Sequence, residues 1–116
     1  MFPYESHRRY FEEEVHPRLD HRRRFLGPVG FARKKRLLGA ARCVLVPSLA
    51  PETSSLVARE ALAAGTPVVA FPNGALRDAV EPGRTGFLVK DVAEMAQAIR
   101  DCDVLDPATC LSLIHI

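Results

Sequence analysis

Two carboxylates, Glu52 and Glu60, stand eight positions apart around the start of an expected helix in Pro51-Glu52-Thr53-Ser54-Ser55-Leu56-Val57-Ala58-Arg59-Glu60. An apolar strand ending in Val46-Pro47-Ser48 precedes them, and a second strand, Pro67 to Phe71, follows. A carboxylate in a strand-to-helix loop, the unpaired N–H groups of a helix start and a second carboxylate two turns on could together hold a polar, phosphate-bearing ligand. Eight helical residues rise roughly 12 Å, about the reach from a sugar across a diphosphate to a ribose.

Each group also has a plainer reading. Glu60 shares a predicted helix face with Leu56 and Ala63, an odd place for a solvated carboxylate. A buried, unpaired Glu would cost several kcal/mol, so Glu60 is either ion-paired in the structure or meets a ligand. Glu52 beside Pro51 could serve only as a helix-start carboxylate, favoured by the dipole by about 0.3–1 kcal/mol. Gly74 follows the second strand, where a ligand loop or a simple turn would lie. Gly83 and Gly86 read as turn residues, and the basic runs Arg22-Arg23-Arg24 and Arg33-Lys34-Lys35-Arg36 as solvated faces. His7, His16 and His21 lie on a polar helix or its exit, without ligand spacing.

The elements that must position these groups follow from periodicity and punctuation. Glu5 to about Leu19 reads as a helix, with Tyr10, Phe11 and Val15 apolar at helical spacing and Pro17 as its stop. Arg24 to Gly27 reads as a short strand. Phe31 to Ala41 is a second helix, with Leu37, Leu38 and Ala41 inward and the basic run outward. Cys43-Val44-Leu45-Val46 is a continuous apolar strand, as in a parallel sheet covered on both faces. Next come a helix from about Ser54 to Ala64, the strand Pro67 to Phe71, a short helix Ala75 to Val80 and a strand Phe87 to Val89. Asp91 caps a last helix to about Cys102, with Val92, Met95, Ala96 and Ile99 on one stripe. Strict β and α alternation with short Gly/Pro turns predicts a parallel α/β sheet of Rossmann type, most firmly over residues 42–100.

The 116 residues suit one domain with a modest core. At 47% apolar and 26% charged the composition is that of an ordinary globular chain, and a net charge of +2 is too small to imply a nucleic-acid partner. Cys43, Cys102 and Cys110 are odd in number and lack metal-type spacing. Cys43, inside an apolar strand, reads as a buried free thiol, and a reduced, cytoplasmic setting is expected. No apolar run reaches membrane-spanning length. The start, Met1-Phe2-Pro3-Tyr4-Glu5, is polar at once, so no signal peptide is expected.

Val46-Pro47-Ser48, the Glu52/Glu60 pair, Glu60-Ala61-Leu62-Ala63-Ala64-Gly65-Thr66-Pro67-Val68-Val69-Ala70 and Gly83-Arg84-Thr85-Gly86-Phe87-Leu88-Val89 occur in that order. From about Tyr10 to Arg100 the chain thus resembles the nucleotide-sugar-binding C-terminal domain of retaining glycosyltransferases of the GT-B fold, glycosyltransferase family four. The resemblance implies a donor such as a UDP-, GDP- or ADP-sugar, no cofactor and no metal. It implies that Glu52 contacts the transferred sugar at the catalytic centre, that Glu60 hydrogen-bonds the ribose, and that backbone amides of Ser54, Ser55 and Leu56 approach the diphosphate. Many members carry a Gly-Phe-Gly-Leu-like run where this chain has Thr53-Ser54-Ser55-Leu56. Hydroxyls and free amides remain there, without the closest approach that glycine allows.

By the same resemblance the sheet is expected to lack its first strands, the strand at Arg24 to Gly27 to be cut off from the rest, and an N-terminal acceptor domain to belong to a longer parent chain. The fragment alone is expected to be inactive. The family's envelope and lipid-linked acceptors make an anionic membrane, at the inner face of the plasma membrane, the functional alternative for the two basic runs. Residues 1–110 are expected to form the partial domain. Residues 111–116, Leu-Ser-Leu-Ile-His-Ile, can be encoded by a transposon-end adapter sequence and are expected to be a foreign tail. Two other readings remain open: a non-catalytic α/β binding or interaction module, and an epimerase of the same fold acting on UDP-sugars.

Overall fold

The computed structural model describes residues 4–49 and 56–112, without the side chains of Thr109, Leu111 and Ser112. It resolves into two compact units that meet in sequence at Gly30 and Phe31. In the first unit, helix α1 spans Glu5–Tyr10, widens to a π turn at Phe11–Val15 and tightens to a 3-10 turn at His16–Arg18. Pro17 has no N–H to give the carbonyl four residues back, and its ring crowds that carbonyl, so the helix ends there. Phe11 and Val15 are half-buried, whereas Tyr10 is exposed.

Residues 24–27 do not form the expected strand. Among the described residues no strand pairs with them; instead the Phe25 ring packs on Phe11 with centroids 4.6 Å apart. The turn before it is built by Asp20, whose Oδ1 accepts from the Arg22 and Arg23 amides while its Oδ2 takes the Arg23 guanidinium at 2.8 Å. These bonds, the Arg23 side chain first, hold the Asp20 carboxyl below the usual range.

The second unit opens with helix α2, Phe31–Ala40, and continues through β1 (Val44–Val46), α3 (Leu56–Ala63), β2 (Val68–Ala70), α4 (Leu76–Ala79), β3 (Gly86–Leu88), α5 (Val92–Asp101) and α6 (Pro107–Ser112). The strands form a parallel sheet in the order β1-β2-β3, with Val44 opposite Val68 and Val68 opposite Gly86. This is the Rossmann-like α/β build read from the alternation of elements.

Alternation along the strands distributes the core over two faces. Val46, Val68 and Ala70 meet Ala58, Ala61 and Leu62 of α3, Leu76 and Val80 around α4, and Cys110 of α6 on one face. Val69 meets Met95, Ala98 and Cys102, with Cys43, Phe87 and Ile99 beside them, on the other. β2 is buried at all three residues because helices cover both its faces. Helix α5 turns Met95, Ala98 and Ile99 inward, while Val92 and Ala96 of the expected stripe are exposed. A helix face is about 100° wide, and the sheet selects the half of the apolar arc that it can reach. Asp91 caps α5 as predicted, accepting from the Glu94 amide at 2.8 Å.

Helix α3 ends in a Schellman motif: Gly65 at φ 79° donates to the Leu62 carbonyl, and Thr66 donates to that of Ala61. This brings the chain straight into β2. The Thr66 hydroxyl then donates to the Leu38 carbonyl at 2.6 Å, so the α3–β2 turn is tied to the end of α2.

Candidate functional site

Helices α2 and α3 pack side by side, and the facing positions are read off the helical period. On α2 they are Phe31, Lys34, Lys35 and Leu38, and on α3 Glu60, Ala63 and Ala64; these seven residues line a cavity of about 150 Å³. The small alanines leave the space, Leu38 closes it against the core, and Phe31, 78% exposed, offers an aromatic ring at its rim. Leu37 and Ala41 of the predicted inward face are exposed; only Leu38 of that trio packs on the core.

Glu60 is half-buried, and its Oε2 lies 2.8 Å from Lys34 Nζ. The sequence reading placed Lys34 on a solvated basic face, which the pair corrects. The signal was available, since Lys34 precedes Leu38 by one turn and shares its side of the helix. The expected company of Glu60 is corrected as well. Leu56 and Ala63 are exposed, and the buried face of α3 is Ala58, Ala61 and Leu62, so Glu60 stands at the margin of the core. A marginal, ion-paired carboxylate carries far less desolvation cost than a buried one. Two cations and one carboxylate give the cavity a net positive lining, and the paired carboxylate keeps a second oxygen with which to accept hydroxyl donors.

Leu56 heads α3 as far as it is described, one turn before Glu60, and is 63% exposed. Glu52, Ser54 and Ser55 lie outside the described residues. Gly74, at φ 58° and exposed, sits in the loop after β2, on a different segment from Glu60. Its neighbour Asn73 donates from Nδ2 to the Ser48 carbonyl at 2.6 Å, joining the exits of β1 and β2. Sequence reading overlooked Asn73. The carboxyl ends of adjacent parallel strands are where open α/β sheets hold ligands.

Among the described residues no group of three or more His, Cys, Asp or Glu side chains is placed to hold a metal ion, and no helix is long and apolar enough to cross a membrane.

A family profile described as "Glycosyl transferases group 1" matches residues 3–102. A D-inositol 3-phosphate glycosyltransferase of Streptomyces avermitilis is 48% identical over 80 residues, covering 67% of this chain and 17% of that protein. One from Catenulispora acidiphila is 50% identical over 76 residues, 64% of this chain and 18% of its own. A phosphatidyl-myo-inositol mannosyltransferase of Mycobacterium leprae is 40% identical over 78 residues, 66% of this chain and 21% of its own. The matched segment is thus about a fifth of each of these relatives.

Proposed function

The chain belongs to the group 1 glycosyl transferases, and from that membership we propose that it carries the donor-binding part of a retaining, metal-independent transferase using a nucleotide-diphosphate sugar. The observation that carries this reading is Glu60, held by Lys34 at 2.8 Å on the wall of a cavity between α2 and α3. In it, Glu60 accepts from the ribose hydroxyls, Lys34 fixes its carboxylate, and the exposed Phe31 ring flanks the base. Glu52 contacts the transferred sugar, the amides of Ser54, Ser55 and Leu56 face the diphosphate, and the Gly74 loop borders the same edge.

In the reaction, the bond from the anomeric carbon to the diphosphate breaks and a bond to the acceptor oxygen forms on the same face. The leaving diphosphate keeps the electron pair and takes the proton of the acceptor hydroxyl, and helix-start amides stabilise its remaining charge. The acceptor-binding domain would be supplied by the remainder of a protein of the relatives' length. The relatives' names favour an inositol phosphate or phosphatidylinositol as acceptor. A cytoplasmic enzyme touching an anionic membrane surface through the exposed Arg33 and Arg36 of the second unit, or the exposed Arg22 and Arg24 of the first, fits that acceptor class.

Calorimetric titration of UDP-, GDP- and ADP-sugars into the chain and into Glu60→Gln tests this reading. One donor should bind, and the Gln variant should weaken it at least about tenfold, or about 1.4 kcal/mol. Equal affinities in the two proteins would remove Glu60 from the ribose site. Binding of none of the donors would favour a non-catalytic module.

A further inference from the structure

Away from Glu60, two free cysteines share one apolar cluster. They are Cys43, one residue before β1, and Cys102, one residue after α5. Both are free thiols, Cys102 inside that cluster and Cys43 packed against it. Their sequence neighbours close the same gap: Arg42 Nη2 lies 2.6 Å from Asp103 Oδ2 and reaches the Arg100 carbonyl at 3.4 Å. Arg42, next to Cys43, thus ties its segment to residues 100 and 103, which flank Cys102 in sequence. Cys110 packs in the cluster on the opposite face of the sheet.

We propose that Cys43 and Cys102 are a dithiol oxidation site, which a small-molecule disulfide converts into an intramolecular disulfide tying the entry of β1 to the end of α5. The access route sets the order of events. Cys43 is half-buried whereas Cys102 is 3% exposed, so Cys43 meets the oxidant first. The Cys43 thiol loses its proton, its sulfur attacks one sulfur of glutathione disulfide, and one glutathione thiolate leaves. Cys102 then loses its proton, attacks the Cys43 sulfur of the mixed disulfide and expels the second glutathione. Two protein thiols are oxidised by two electrons, and one glutathione disulfide is reduced to two glutathiones.

The electrostatics agree with that order. Burial raises both thiols above their ordinary value, but hydrogen bonding with Cys102 works the other way on Cys43. Burial first, then the charge and the hydrogen bond of Cys43, push Cys102 up to about 12. Arg42 lowers both and Asp103 raises both. Once Cys43 is in a mixed disulfide it no longer forms an anion, which removes its charge contribution and eases deprotonation of Cys102.

The test is to incubate the chain with glutathione disulfide, block remaining thiols in denaturant, count them, and map linked peptides by mass spectrometry. Two of the three thiols should be lost and one linked peptide, Cys43–Cys102, should appear, reversed by dithiothreitol. Cys110→Ser should leave the result unchanged. In concentrated urea the pairing should shift to Cys102–Cys110, only eight positions apart, because the shorter loop closes at lower entropic cost. That shift separates a pair made by the fold from one made by chance. Retention of all three thiols, an adduct that stops at Cys43, or the urea pattern in the native chain would overturn the proposal.

Discussion

Gly86 stands opposite Val68 so closely that a Cβ on it would lie 1.7 Å from the Val68 carbonyl oxygen. The glycine also holds φ 155°, which L side chains rarely adopt. The sequence reading made Gly86 a turn residue; in the fold it is the first residue of β3, and its missing side chain lets β3 pair with β2. Gly86→Ala should therefore force the strands apart and cost about 4 kcal/mol or more. A urea midpoint within error of the parent would refute this.

Gly39 gives the opposite expectation. It lies inside α2, has no heavy atom within 4 Å of a built Cβ, and carries no positive φ. Gly39→Ala should stabilise the chain by about 0.5–1 kcal/mol through helix propensity and a less flexible unfolded state. Paired denaturation curves of the two glycine variants make the comparison direct.

Thr66 is 2% exposed, and its hydroxyl donates to Leu38, whose carbonyl lies in the last turn of α2 where no helical partner follows. Thr66→Val keeps the shape and strands that acceptor, so a loss of about 1–3 kcal/mol is expected. Thr66→Ser, which keeps the hydroxyl, should recover much of it. No difference between Val and Ser would show that the bond contributes little.

The Lys34–Glu60 pair should matter little for stability and much for ligand. With side chains 39% and 24% exposed, it is worth about 0–1 kcal/mol. Lys34→Met should leave the urea midpoint nearly unchanged while weakening whichever nucleotide sugar binds. A large stability loss with unaltered binding would make the pair purely structural.

The cysteines give a pH dependence with a fixed sign. Cys43, Cys102 and Cys110 all lie above the ordinary thiol value of 9.0, chiefly through burial. A group whose value is raised by folding contributes stability below its unfolded pKa and loses that contribution as pH rises through the folded one. Stability should thus fall from about pH 9 upward, to about 12 for Cys102. Cys102→Ser should flatten that decline, and an identical decline in the variant would argue against burial as the cause.

Much of the fold was legible in the residues. The apolar runs at residues 43–46 and 67–71 announce strands, and Asp91 announces the start of α5 through its own side chain. Only β2 is covered on both sides, however: Leu45 of β1 is 43% exposed, against the expectation for that run. These signals are local: a cap bonds three residues away, and strand periodicity needs no knowledge of a partner. Errors fell where a partner decides. Residues 24–27 have strand-like composition but no described strand pairs with them, and Val92 and Ala96 are apolar on a part of α5 that the sheet does not reach.

For the site, residue types alone singled out Glu60 and left open whether it is ion-paired or meets a ligand. Helical geometry could have placed Lys34 on the inner side of α2, but only the packing of α2 against α3 shows that it faces Glu60. The same holds for Asn73 with Ser48, and for Cys43 with Cys102. By itself the sequence determined the order of the elements in the second unit and the family, because caps, periodicity and ordered motifs act over a few residues. The tertiary structure alone decided which side chains meet, because contacts between remote segments depend on how α2, α3 and α5 settle on the sheet.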